Sequence, residues 1–223
     1  MRYDPQDLPF YSMSGIYLSD AGPDVSNNHG FDWHTSNSIA LLQEVGWHYH
    51  LKSKDDALAV GGFYNDGAFT NWDTGAAQHG IYGVYGLVSQ VLLQTKAADG
   101  GDPKTVLSGF AYAGWAGPDS RTIPTDCYAA GLNWNGPLPS RPQDTVAIAV
   151  LYTGFSSHYT RSAFNPNGPG VSTASETVVE LTYQMALTPW FTVQPDAQVI
   201  FNPANAGTRA TALVVGARAT VSF

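Results

Sequence analysis

Charge is scarce in this chain, and cysteine nearly absent. Asp, Glu, Lys and Arg make up 13% of its 223 residues, and 18 acidic against 10 basic side chains leave a formal net charge of −8. A nucleic-acid partner is excluded, because phosphate binding needs basic patches. The single Cys127 rules out an internal disulfide framework and a cysteine-rich metal centre, and is expected to be a small packing residue. Long apolar runs are missing too. No stretch approaches the roughly 18 consecutive apolar residues of a membrane-spanning helix, although a spanning strand needs only about 9–11. Helical periodicity is equally hard to find. The run 81–93, IYGVYGLVSQVLL, is the best candidate, but its glycines and tyrosines suit a strand. The N-terminal MRYDPQDLPFYSMSG has no apolar signal segment. The reading therefore expects a processed chain or a portion of a longer one.

What is present is glycine, tyrosine and alternation. The chain holds 23 Gly, 12 Tyr and 6 Trp. Along its last stretch, ATALVVGARATVSF, the residues Leu213, Val215, Ala217, Ala219, Val221 and Phe223 share one parity, while Arg218 lies on the other. Successive side chains of a strand point to opposite faces. One face here is apolar throughout and the other is mixed, which is the pattern of an outer-membrane barrel strand.

About ten such strands can be placed between clusters of Gly, Pro, Asn, Asp and Ser. They cover 13–18, 39–50, 57–64, 80–94, 105–115, 127–135, 145–154, 176–187, 191–201 and the closing stretch. Pro195 falls inside the ninth, where a bulge is expected because proline lacks the ladder donor. Longer connections at 19–38, 65–79, 116–126, 155–175 and 202–209 alternate with shorter ones at 51–56, 95–104, 136–144 and 188–190. That is the asymmetry of outer loops and inner turns, and 155–175 is the loop expected to fold in. Trp47, Trp134, Tyr183, Trp190, Phe191 and Phe223 lie near strand ends, as an interfacial aromatic girdle would. The expected fold class is thus all-β, an antiparallel transmembrane β-barrel forming a single domain over 1–223.

Most of the stretch 38–223 resembles the carbohydrate-selective porins of the OprB family, and the last fifty residues carry most of that resemblance. The matching pieces are Glu176 to Tyr183 (ETVVELTY), Thr188-Pro189-Trp190, Gln194-Pro195-Asp196 with Gln198, Asn202-Pro203, Gly216-Ala217-Arg218 and the terminal Phe223. Upstream, Gly131-Leu132, Gly136-Pro137, Arg141-Pro142 and Asp144 are similar, as are SIALLQEVGWHY and GGFYN. The resemblance implies a sixteen-stranded outer-membrane barrel that passes small sugars by passive diffusion. With about ten strands here, the N-terminal part of that barrel has no counterpart. An incomplete sheet has two unpaired edges, which a bilayer does not tolerate. The chain is therefore expected to close as a smaller barrel, to be completed by another chain or an oligomer, or to form one part of a longer protein.

On the assigned parities, Glu44, His48, Gln90, Asn133, Glu180, Gln184, Gln194, Asp196, Gln198 and Arg218 point into the lumen. Carboxylates, amides and an arginine can replace sugar hydration weakly, as a conduit requires. The same residues in any small barrel pair with one another, and Arg218 with Glu180 or Asp196 would do so. His48 and His50 share a strand face without a third ligand, so no metal or cofactor is expected. There is no G-x-S-x-G elbow. The carboxylates Glu180 and Asp196 would form a glycosidase pair only at a particular separation, and no enzyme activity is expected. The partners inferred are small sugars as solutes and outer-membrane lipids. Three competing readings are a soluble all-β sugar-binding module, a barrel-shaped outer-membrane enzyme, which would need a catalytic constellation facing the lumen or rim, and a structural subunit of a larger outer-membrane assembly without transport of its own.

Overall fold

The computed structural model describes residues 1–5, 8–19, 38–51, 54–95, 105–170, 172–203 and 209–222. Its strands are β1 (Arg2–Tyr3), β2 (Phe10–Leu18), β3 (Ile39–Leu51), β4 (Lys54–Thr70), β5 (Ala77–Gln94), β6 (Val106–Gly117), β7 (Pro124–Asn135), β8 (Thr145–Phe155), β9 (Ser175–Thr188), β10 (Phe191–Phe201) and β11 (Ala212–Val221), with one short helix, α1 (Ser157–Arg161), after β8. They form one sheet in sequence order, and the sheet is not closed. The ten expected strands are present. The additional β1 pairs only Arg2 with Met13 and Tyr3 with Ser12, too short a run to leave a periodic signal.

Every connection joins antiparallel neighbours, so each strand pair is a hairpin. β4 and β5 run well past their expected ends and are joined by a turn at 71–76, so much of the expected 65–79 loop is strand. Pro195 makes no bulge. It stays in register with Ala217 on β11, and the β10–β9 register shift falls at Phe191/Thr192. The ladder to β9 passes over Gln194 and Pro195, where the missing N–H costs no partner.

The sheet is a single layer with almost no hydrophobic core. Among the described residues the only buried apolar side chains are Ala59 and Tyr159. One face is predominantly apolar over its middle: Leu41, Val45, Val60, Val84, Leu132, Ile148, Val150, Leu181, Leu213 and Val215 all stand exposed on it, Val84 at 59% and Val215 at 73%, with Gln43 among them bonded to Ser12 and Ser14 of the same face. A soluble sandwich would bury that face against a second sheet. Aromatic rows border it at both ends. Trp47 and Trp134 stand at one end. Tyr64, Tyr82 and Trp115 stand at the other, continued across the register Tyr128, Tyr152, Thr177, Phe201. From Trp134 to Tyr128 is about 20 Å along the strand at ~3.3 Å per residue. Phe223 of the expected girdle lies outside the described residues.

Buried polar groups instead knit the loops of the longer-loop end. The Ser156 and Ser162 hydroxyls donate to the carbonyls of Asp119 and Trp72, and Trp72 stacks edge-on against Tyr159 at 4.8 Å. The 156–174 connection therefore docks on its neighbours at 71–76 and 118–123. Gly75 sits at φ +72°, and a Cβ there would lie 2.5 Å from Phe164. Both facts demand glycine.

At the opposite end Asp144 clips the 136–144 turn to β9. Its carboxylate accepts from Arg141 Nε and Nη2 at 2.5 and 3.0 Å, from the Tyr183 hydroxyl at 2.5 Å and from the Ala186 N–H at 3.0 Å. The Arg141 guanidinium, with help from Tyr183 and the Ala186 amide, holds the Asp144 carboxyl down at about 2. A lowered folded-state value means the clip stabilises fully above the ordinary value near 3.8 and is lost as pH falls through about 2. Amide exchange of the 136–144 turn is therefore expected to be flat from pH 7 to 5, after correction for the intrinsic rate, and to accelerate only below about pH 4. Acceleration already at pH 6 would contradict this.

Candidate pore wall

The cross-strand registers sort every strand residue onto one of two faces, because directly paired residues lie on the same side. One inward row runs Met13, Glu44, Gly61, Tyr85, Gly114, Cys127, Thr153, Glu176. Another runs from Gly131 through Ala149, Glu180 and Gln198 to Val214. On this face the structure places Glu44, His48, Asn133, Glu180, Gln184, Gln194, Asp196, Gln198 and Arg218 of the expected residues. Among the described residues, the opposite, apolar face has no charged residue between its aromatic rows.

Gln90 is a correction. It pairs with Gly109, in the row that continues Leu132, Ile148, Leu181, Ala197 and Val215, and so lies on the apolar face. The cause is a register shift between Val91 and Leu93. One inserted residue inverts the parity of everything on its far side. Leu93 does face outward and Gln94 inward, as the alternation suggests, but above the bulge Tyr85, Leu87 and Val91 turn inward.

The inward polar groups form two clusters. Near β2–β5, Glu44 receives the Tyr11 hydroxyl on Oε1 at 2.8 Å and the Tyr85 hydroxyl on Oε2 at 2.6 Å. The His48 ring packs against the Tyr11 ring at 5.4 Å, and the Arg2 guanidinium covers Tyr11 at 4.9 Å. Near β9–β11, Gln198 Nε2 donates to Glu180 at 3.1 Å. Gln194 lies opposite Arg218, and Asp196 lies opposite Gly216, whose missing Cβ leaves room for its carboxylate. Among the described residues no ion pair joins Arg218 to Asp196 or Glu180, so the expected self-neutralisation is not made. Asn133 lies between Ser108 and Ala147, and Gln184 opposite Thr145.

The inward tyrosines escaped the sequence reading, which treated aromatic residues as lipid-facing. The usable signal was glycine. Tyr11 and Tyr85 each face a glycine directly across the register, Gly46 and Gly61. A Cβ at Gly61 would lie 2.4 Å from Tyr85 Cζ. Gly61→Ala is accordingly expected to push Tyr85 off Glu44 and cost about 1–3 kcal/mol, the range for overpacking a tight site. Unfolding of the refolded protein in denaturant measures it, and an unchanged midpoint would refute the contact.

A one-layer sheet with an apolar belt between aromatic rows on one side and carboxylates, amides and an arginine on the other is the wall of an outer-membrane β-barrel porin. The chain belongs to the carbohydrate-selective porin family OprB, whose family model matches residues 1–223. It is similar in fold to the high-pH structure of Pseudomonas putida OprB, with a TM-score of 0.83 and 20% identity over all of this chain and 57% of that one. It is also similar to the low-pH structure of Pseudomonas putida OprB, with a TM-score of 0.56 and 19% identity over all of this chain and 65% of that one. The chain thus spans less than two thirds of those chains. No curated protein matches it. Porins of this family are outer-membrane channels rather than enzymes, and the chain is placed in the outer membrane with them.

Proposed function

We propose that this chain forms the wall of a channel through which small sugars cross the outer membrane by passive diffusion, without a cofactor. The observation that carries the reading is the two-faced sheet, with a predominantly apolar, uncharged belt on one side and a mixed inner face bearing Glu44, Asn133, Glu180, Gln184, Gln194, Asp196, Gln198 and Arg218. Acceptors and the Arg218 guanidinium, which makes no ion pair among the described residues, offer weak, successive replacements for sugar hydration. The inward carboxylates outnumber Arg218, which disfavours anionic solutes.

A bilayer does not tolerate the two open edges, so the channel includes further strands, from the same polypeptide or from another chain. That requirement also favours a second reading, a structural subunit that does not transport by itself. Planar-bilayer conductance of the detergent-extracted protein, titrated with glucose, separates the two. Stable channels whose ion current falls as glucose is added are expected. A folded protein that opens no channels would favour the structural subunit.

A further inference from the structure

Gln90 stands on the outward face with its side-chain amide unpaired among the described residues. The cross-strand registers fix its height. Trp47 on β3 and Trp134 on β7 mark the aromatic border at the shorter-turn end, which is the periplasmic end of such a barrel. The row through Trp47 continues over Leu58, Val88 and Ala111 to Ala130, four residues short of Trp134. Shared over the four steps from β3 to β7, the border drops one residue per strand. That is a tilt of about 35°, at ~3.3 Å per residue and ~4.8 Å between strands. The border meets β5 two residues below Val88, at Gln90. The amide thus lies at the headgroup boundary of the periplasmic leaflet, where interfacial aromatic side chains sit.

A groove of about 500 Å³ opens beside it. Its floor is made of small side chains, Gly109 and Ala111 on β6 and Ala130 on β7, with Ala111 and Ala130 directly paired. Val88 of β5 forms one wall, and Ile148 and Val150 of β8 form the other. Leu92, the extra residue of the β5 bulge, meets Leu132 over the periplasmic end of the floor. A Cβ at Gly109 would stand 3.3 Å from a methyl carbon of each. The bulge is itself pinned, because the Asp56 carboxylate, 3% exposed, accepts the Val91 N–H at 2.7 Å. That contact fixes Gln90 and Leu92 at the mouth of the groove.

We infer that this groove holds one acyl chain of a phospholipid of the periplasmic leaflet, with the Gln90 amide donating to the ester carbonyl of that chain. The occupant follows from position. The groove is continuous with the belt that meets the membrane, so lipid covers it. An amide facing lipid is costly unless it is hydrogen-bonded. Ester carbonyls lie just inside the headgroups, at the depth of Gln90, and are the acceptors a phospholipid offers there. The methylenes beyond the ester then run up the strand direction over Ala111 and Ala130. Glycine and alanine let the chain approach the backbone closely, as small residues do at interfaces within membranes, and the gain is dispersion contact. The inference rests on the outward face being the lipid face and not on the passage of sugars.

The test uses vesicles that hold the native protein and a phosphatidylethanolamine carrying a photoreactive diazirine midway along one acyl chain. Adducts are mapped by mass spectrometry after illumination. Ile148 and Leu181 pair directly in one outward row and are 48% and 52% exposed, but only Ile148 lines the groove. Ile148 is expected to carry adducts severalfold more often than Leu181. Ala111→Leu, which fills the groove with an apolar side chain, should bring that ratio near one. Gln90→Leu should cut it about fivefold, the worth of one hydrogen bond. An ether-linked analogue without the ester carbonyl should cut it equally in the wild type and no further in Gln90→Leu. A wild-type ratio near one overturns the site and needs no variant to fold. A ratio that survives Ala111→Leu in folded protein does the same. Groove residues left unlabelled while Leu181 reacts also overturn it, and show that protein rather than lipid covers the groove. Swelling of the same vesicles in glucose reads the channel separately, so failure of either result leaves the other standing.

Discussion

Replacing Ile148 by arginine should destabilise the folded protein in membranes by about 2–4 kcal/mol, the cost of a cation at the middle of a barrel's lipid face. Its neighbour Ala149, one residue along the same strand, should accept arginine for less than about 1 kcal/mol. The contrast follows from the two registers. Ile148 lies between Leu132 and Leu181 on the apolar face, while Ala149 lies between Gly131 and Glu180 on the mixed face. In lipid the first guanidinium has no acceptor and no water. In the lumen the second has both, with the Glu180 carboxylate beside it. Reversible unfolding in denaturant with lipid vesicles present measures the pair. Equal costs at the two positions would mean that the faces are wrongly assigned, and a larger cost at Ala149 would favour a soluble fold that buries the opposite side.

The second large effect is expected at Asp144. Asp144→Ala should cost about 3 kcal/mol, because a carboxylate only 2% exposed loses a bidentate arginine, a tyrosine hydroxyl and a backbone amide at one stroke. The figure stays at the lower end for a broken buried pair, since Arg141 is 37% exposed and regains water when its partner goes. Asp144→Asn is expected to recover part of the loss, keeping an acceptor for the Ala186 N–H. The same unfolding measurement applies, and a loss below about 0.5 kcal/mol would show the turn to be held by its backbone alone. Because the clip joins the 136–144 turn to β9, the damage should spread to the β8–β9 hairpin rather than remain in the turn.

The two positions differ in how legible they were. The face of Ile148 can be read from alternation, since Val146, Ile148, Val150 and Tyr152 recur at every second residue with nothing to break the phase. Asp144 drew notice only through a resemblance. No local pattern says that its carboxylate is closed over by Tyr183 from 39 residues away.

Gln90 and Tyr85 show where alternation fails. The rule is local and carries phase from one end of a strand to the other, so a single unpaired residue near Leu92 inverted the assignment of everything before it. A bulge leaves no signature in hydrophobicity when its neighbours, Val91, Leu92 and Leu93, are all apolar. Only pairing with β6 fixes which residue is the extra one. Pro195 is the converse case. Its chemistry suggested a break, and the ladder absorbed it by leaving its β9 side unpaired.

By itself the sequence determined the all-β class, the number and order of the long strands, the apolar alternation of the closing strands and the face on which Arg218 lies. Those properties follow from period-two burial and from turn residues, which act over a few positions. The aromatic row of Tyr64, Tyr82, Trp115, Tyr128 and Tyr152, by contrast, emerged only from the registers. The tertiary structure alone decided which strand residues stand level with one another. That placed the rings of Tyr11 and Tyr85 against Gly46 and Gly61, brought both hydroxyls to Glu44, left Arg218 without the expected carboxylate and docked the 156–174 loop on its neighbours. All of these depend on cross-strand register, a relation between residues far apart in the chain, and register is set by the whole ladder of hydrogen bonds rather than by any one segment.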